Sequence, residues 1–524
     1  MTPEDSLRGT RMFGLLACLL AVACGGNDRD GSSSVAELSG DSLVIAVGRD
    51  EFGLRLNRER LGRYPLNTGI CESLLRLTSD FGIEPWLARK WEYRENNTYR
   101  FTIRSDPTFH SGGQLGAASV KYTLERGIKD KTQYSFLSGE SVRIIDDSTL
   151  DIRPVRPNLR VLEQMAHMTY AVVADSSDGA TLPNCTGPFR FKEYVPRSHL
   201  SVERNDAYWG EKAKLQRLIF RFIPDDYTRA LALKAGNVDM IFDVNRSMVA
   251  NLEQTPGIKV VAAPPGAVIL MYIATRGKAP YTRMSDPTVR RAVAMAIDRT
   301  ALVREVMDGL AAEVSTVNPP SVLGRHASLV RGVPHDPARA RRLLDSAGWT
   351  ATGKQTRQRA GSSLVLSLIA QPGAVDRSLT QYVQAQLAEV GIEVRIEDLD
   401  AAAYESRLNS GTFDLDIEVP NQNDANPAFL LALRWYSKSN VRSAPIMAAG
   451  ARFDSLVERS LVSVARDEAQ KAAAEAMHVL VDEEVAAIPL AGVSRIYAMS
   501  SKVRGFVPHP SRLSQSWSKV WLAR

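Results

Sequence analysis

The stretch LVLSLIAQPGAVDRSLTQYVQAQLAEVGIEVRI, Leu364 to Ile396, reads in three parts. Leu364 to Ile369 is a short apolar run of strand length. Leu379 to Val390 has apolar residues at helical spacing and stops at Gly391. Ile392 to Ile396 alternates apolar and charged residues, as a half-buried strand does. A strand, a helix and a strand with a tight Gly junction form a βαβ unit, whose strands pair in parallel. Outward from this unit, strands are predicted at Leu43–Val47, Tyr99–Arg104, Leu150–Ile152, Phe189–Tyr194 and Leu218–Ile223, and a helix or strand at Glu72–Leu77. Helices are predicted over Ser119–Gly127 and Thr228–Ala235, the latter closed by Gly236. Val289–Met307 reads as one long helix ending at Gly309, and Ala451–Val485 as another. Asp336 caps a helix that opens at Pro337 and stops at Gly348. Strands and helices mix throughout, so the class is α/β or α+β with more than one lobe.

The chain has 524 residues, 44% hydrophobic and 24% charged. That is ordinary globular composition, enough for two or three domains, and it excludes a disordered or fibrous chain. Lys and Arg number 65 against 59 Asp and Glu, a net charge of +6. Spread over this length, the excess argues against a nucleic-acid binder, which concentrates basic charge on one face.

Arg8 and Arg11 precede an apolar run, Met12 to Ala23, too short to span a bilayer but right for a secretory signal. The run ends Leu20-Ala21-Val22-Ala23-Cys24-Gly25-Gly26, which resembles a bacterial lipoprotein cleavage site. That resemblance implies a signal over residues 1–23 and lipidation of Cys24, although Ala21 stands where the pattern usually has Leu. Cys18 is a competing match that would leave apolar residues on the mature end, and an ordinary signal cut nearby is the plainer alternative. Residues 24–41, rich in Gly, Ser and Asp, read as a flexible tether. No later stretch reaches 18 apolar residues, so the body of the chain is expected outside the cytoplasmic membrane. Cys71 and Cys185 then remain, and an oxidising compartment suggests a disulfide between them; two separately buried thiols are the alternative. No Cys-x-x-Cys is present and the seven His are scattered, so no metal site is expected.

Six further motifs fall in order along the chain. They are Glu84-Pro85-Trp86-Leu87-Ala88 with Trp91; Thr102-Ile103-Arg104 with Phe109-His110-Ser111-Gly112; and Cys185-Thr186-Gly187-Pro188-Phe189. Asn205-Asp206-Ala207-Tyr208-Trp209, Arg290 to Arg299 (RRAVAMAIDR) and His335-Asp336-Pro337 through Ala347-Gly348-Trp349 follow. Together they resemble the extracellular solute-binding proteins, family 5, which serve peptide and nickel ABC importers. Read singly, most of these motifs are structural: Asn205 and Asp206 as an Asx turn, Tyr208 and Trp209 as packing, and Asp298 with Arg299 as surface charges on a helix.

The resemblance implies a type II periplasmic-binding-protein fold, with two lobes, an extra domain in lobe one and the ligand between the lobes. On this chain the core of lobe one is expected at 42–71, 182–270 and 495–524, its extra domain at 72–181 and lobe two at 271–494. The chain would cross between lobes near Met271 and Ser494. In peptide-binding members a lobe-two Asp, four residues before a Pro, pairs with the peptide amine. Here Asn423 stands four before Pro427 and Asp424 follows it, so the anchor is either shifted to Asp424 or replaced by a neutral amide. Asn421 shares that loop. Further candidate contacts are Asp50 between Arg49 and Glu51, Asn67, Tyr134, Gln371, Arg434 and Trp435. The last two would offer a carboxylate partner and a stacking surface.

The function expected is capture of a small solute, a peptide above all, by a monomer that delivers it to separate permease and ATPase chains, with no cofactor. A metal chelate, a sugar, an opine or a sensory role are the alternatives. A lipid-anchored enzyme is the rival class, but the chain has no G-x-S-x-G, H-E-x-x-H or Walker loop.

Overall fold

The computed structural model describes residues 41–48, 68–129, 137–155, 160–167, 170–175, 184–351, 355–373, 375–420, 425–511 and 514–523. Two large sheets organise the fold. The first has seven strands in the order Ile258–Ala262, Ile496–Ser500, Met240–Ile241, Ser42–Val47, Arg217–Phe222, His199–Arg204 and Phe189–Val195. Ser42–Val47 lies at its centre, parallel to Arg217–Phe222 and Met240–Ile241, with Leu43 and Ile45 fully buried. The second has six strands in the order Ala311–Ala312, Ala487–Val493, Ala267–Ile273, Leu415–Glu418, Val365–Ala370 and Glu393–Ile396. Val365–Ala370 and Glu393–Ile396 pair in parallel, and the helix Arg377–Ala388 between them buries Leu379, Val383 and Leu387. The βαβ unit is therefore present. A third, antiparallel sheet orders Ala88–Arg94, Thr98–Ile103, Thr149–Ile152 and Val142–Asp146 over a separate core holding Phe101, Leu124 and Leu150. The architecture is α/β and two-lobed.

The chain passes between the large sheets twice. It leaves Ile258–Ala262, runs through Ala263 to Gly266 and enters Ala267–Ile273. It returns from Ala487–Val493 through Ser494 and Arg495 into Ile496–Ser500. The two passages lie side by side, with Ala263 N donating to Arg495 O (2.8 Å) and Gly266 N to Val493 O (3.1 Å). The crossing expected near Met271 falls inside a strand of the six-stranded sheet; the chain changes sheets before Ala267.

Two helices are shorter than the periodicity predicts. Pro287–Ala296 ends, Ile297 and Asp298 are extended, and Asp298 caps a new turn by accepting from Ala301 N (2.9 Å). A side chain that bonds the backbone locally competes with helix continuation. Asp298 is thus a cap rather than a surface charge in a running helix. Arg299 turns inward, donating to Val333 O (3.0 Å). Ala451–Val485 divides into Ala451–Val462 and Arg466–His478, broken at an extended Ser463.

Cys71 and Cys185 are disulfide-bonded and buried, joining positions 114 residues apart. Three of the sequence motifs meet beside this bond. Gly187 O receives Asn205 Nδ2 (3.1 Å) and lies 3.0 Å from His110 Nε2, while His110 N donates to Cys185 O (2.8 Å). Gly187 must be glycine: a Cβ there would stand 2.3 Å from Gly69 O and 2.4 Å from Ile70 O.

Candidate functional site

A cavity of about 730 Å³ opens where the two lobes meet at the crossing passages. The seven-stranded lobe contributes Gly48, Asp243 and Arg246, the six-stranded lobe contributes Met307, Gly373 and Asp376, and Val493 to Ile496 form the passage beside them. Each element ends at the cavity for a local reason. Ser42–Val47 stops at Gly48, where any Cβ would meet the Arg229 guanidinium at 2.8 Å. Asn245 caps the helix Arg246–Glu253 by accepting from Ser247 N, which aims the first turn of that helix at the cleft. Asp243 has φ 53°, a left-handed conformation that Asp tolerates better than most residues.

The charged side chains that line this cavity are paired. Arg229 is buried, holds Ile223 O (2.7 Å) and Pro224 O (2.9 Å), and bonds Asp226. Arg495 bonds Asp243 (2.6 Å). Arg246 reaches across the cleft to Asp376.

A second cluster lies inside the six-stranded lobe. Asp416 and Glu418 occupy alternate positions of Leu415–Glu418, and both are buried. Tyr404 Oη donates to both Asp416 oxygens (3.1 and 3.2 Å), and Arg434 pairs with Glu418. Burial, reinforced by the Glu418 charge, holds the Asp416 carboxyl well above the usual range, and burial raises Glu418 too. Gln371 ties off the end of this strand, its Oε1 accepting from Val419 N (3.3 Å).

These contacts correct two of the candidates. Trp435 has no exposed surface; it stacks on Tyr272 with ring centroids 5.0 Å apart, so it offers no platform to a solute. Arg434, expected as a carboxylate partner for the ligand, is committed to an internal carboxylate. The cause is the short helix Phe429–Arg434, which buries Leu430 and Leu431 and turns its last residues into the lobe. Cys24, Asp50, Asn67, Tyr134, Asn421, Asn423 and Asp424 lie outside the described residues.

A family model, "Bacterial extracellular solute-binding proteins, family 5 Middle", matches residues 82–441. The chain belongs to this family. Among relatives of this family 5 protein, the nickel-binding periplasmic protein of Escherichia coli (strain K12) is 25% identical over 77% of the chain and 80% of that protein. The glutathione-binding protein GsiB of Salmonella typhi is 26% identical over 71% of the chain and 72% of that protein. The crystal structure of NikA from Brucella suis in complex with Fe(III)-EDTA superposes with a TM-score of 0.80 at 23% identity, covering 91% of the chain and 99% of that structure.

Several residues that shape this family 5 protein carried no signal in the sequence. Arg246 and Asp376 stand 130 residues apart, and only the fold joins them. The alternation Leu415-Asp416-Ile417-Glu418 mimics a half-exposed strand, yet both faces are buried. Glu72 is a fully buried carboxylate held by Tyr208 Oη, Thr186 Oγ1 (2.7 Å) and Trp209 Nε1 (3.0 Å). Tyr208 and Trp209 thus do more than pack under the Asn205 turn.

Proposed function

We propose that this family 5 protein captures a short peptide or peptide-like solute in the cleft between its lobes and releases it to a membrane permease driven by an ATPase. The observation that carries the reading is the cavity at the paired crossing passages. A solute there touches both lobes only when they are together, so its binding free energy favours closure. Its volume falls within the range of about 300–1,000 Å³ that encloses a small ligand. The glutathione-binding relative supports a peptide, since glutathione is a tripeptide. Asp424 carries the one carboxylate of the stretch Asn421-Gln422-Asn423-Asp424, and a buried ammonium needs a counter-charge. We assign the amine contact to Asp424. A chelated metal is the second reading, favoured by the nickel-binding relative. Cys24 is the proposed lipid anchor that keeps the protein at the membrane surface.

Native mass spectrometry of the protein made without its first 24 residues, followed by denaturing extraction, tests the substrate. A heterogeneous set of short peptides, recovered intact after incubation, is expected. A single metal-chelate mass moves the assignment to the second reading, and cleaved peptides overturn the binding role in favour of an enzyme. Palmitate labelling of the full chain should vanish in Cys24→Ala; persistent label would overturn the anchor.

A further inference from the structure

We propose that Arg246 and Asp376 form a clasp across the cleft that sets how much of the protein is closed before any solute arrives. The proposal rests on the reading above, that the lobes separate and close. Arg246 belongs to the seven-stranded lobe and Asp376 to the six-stranded lobe. Arg246 Nη2 bonds Asp376 Oδ2, and Arg246 Nη1 contacts Met307 Sδ (2.8 Å), also of the six-stranded lobe. One guanidinium is therefore held by the opposite lobe at both ends. Arg246, Met307 and Asp376 all line the cavity. The other arginines described there pair elsewhere, Arg229 with Asp226 and Arg495 with Asp243.

Each partner departs from what its own helix favours: Arg246 by its position, Asp376 by the cap bond it leaves unmade. Arg246 is the first residue of Arg246–Glu253, so its cation stands at the positive end of the helix dipole. Asp376 is the N-cap of Arg377–Ala388, and Asp is among the best capping residues. Yet its carboxylate makes no bond to its own helix. By contrast Asp225, Asp286, Asp298, Asp336 and Asp400 all cap theirs. Asp376 has given up a cap to reach Arg246. A local conflict that a distant contact resolves marks a position selected for that contact.

The geometry makes Asp376 a two-position switch. With the lobes together its carboxylate meets Arg246. With the lobes apart it turns back onto the N–H groups of its own first turn, as a capping Asp does. The open state is thereby compensated, and the clasp biases closure without locking it. Asp376 is 65% exposed at the side chain and Arg246 24%, so the bias is small and sensitive to salt.

Single-molecule energy transfer between dyes on Gln254→Cys and Ala338→Cys, both exposed and one on each lobe, reads the closed-to-open ratio without added solute. The ratio should fall by about two- to fivefold in Arg246→Gln and in Asp376→Asn at low salt. The parent should lose the same factor between about 20 mM and about 0.5 M salt, and the variants should not respond. Asp376→Asn retains a capping side chain, so its melting temperature should hold while its closure weakens. Arg246→Glu with Asp376→Arg should restore the parental ratio. Two populations whose ratio ignores these substitutions overturn the clasp and leave solute capture by closure intact. A single separation at every salt concentration, unchanged by glutathione or nickel(II)–histidine, overturns the clasp and the closure on which it rests.

Discussion

Glu72 has no exposed surface, and Tyr208, Thr186 and Trp209 donate to its carboxylate. Burial outweighs those hydrogen bonds and raises its pKa from 4.5 to about 7. Between these two values the folded chain keeps a proton that the unfolded chain has released. The contribution of Glu72 to stability is therefore full below pH 4.5 and is lost as pH rises through about 7. The swing is about 3 kcal/mol. Urea titrations at pH 5 and pH 8 should show most of that swing in the parent and lack it in Glu72→Gln; an equal swing in both would assign the titration to another group. Arg434 makes a second argument at this scale. Arg434→Ala strands Glu418 as a buried charge and should cost about 3–5 kcal/mol. Arg434→Met combined with Glu418→Leu removes both charges and should recover most of it, as a double-mutant cycle of unfolding free energies would show. Neither residue announces its role in the sequence. A Glu after Cys71 and an Arg before Trp435 look like ordinary surface residues, and what makes them internal is burial by segments more than a hundred residues away for Glu72 and by a short helix turning inward for Arg434.

At the scale of elements, periodicity located the segments and missed their breaks. The βαβ unit at Val365–Ile396 was readable because length, a helical stripe and Gly391 all point the same way. Asp336 was readable as a cap because Pro337 follows it, and its side chain accepts from Arg339 N (2.8 Å). The break at Ile297 and Asp298 was hidden, since a cap in mid-pattern looks like a polar residue on the outer face. Asp298→Ala should cost about 1 kcal/mol, the usual loss for an N-cap. Asp298→Asn keeps an acceptor for Ala301 N and should lose less. Thermal unfolding of the two variants checks the order; equal losses would show that the charge beside His335, 3.6 Å away, matters more than the cap. The charged face of the four-stranded sheet follows a different logic. Glu92, Arg100, Asp151 and Arg143 stand opposite one another in register across all four strands. Opposite charges on facing positions stabilise a sheet pair by pair, and the Arg100 guanidinium holds the Asp151 carboxyl below its usual range.

Across the whole molecule, one covalent and one steric constraint bear on the closure proposed above. Gly266 lies on the first passage between sheets, where a Cβ would stand 2.2 Å from Pro510 O, so the passage is pressed against the C-terminal segment with no room for a side chain. The Cys71–Cys185 bond is buried in the core of the seven-stranded sheet, on either side of the segment that carries the four-stranded sheet. The segment between the two cysteines carries the four-stranded sheet, and the bond joins positions 114 residues apart. Loop closure of this length restricts the unfolded chain by about 4–5 kcal/mol on the chain-entropy model. The substitution Cys71→Ala with Cys185→Ala should therefore lower global stability by roughly that amount. The closed-to-open ratio should hold, because the bond lies within one lobe and does not cross the cleft. Denaturant titration with and without reductant, run beside the energy-transfer measurement, separates the two quantities. A change in lobe separation on reduction would mean that the four-stranded sheet is coupled to the cleft through this bond, and closure would then involve a third part of the molecule besides the two large sheets.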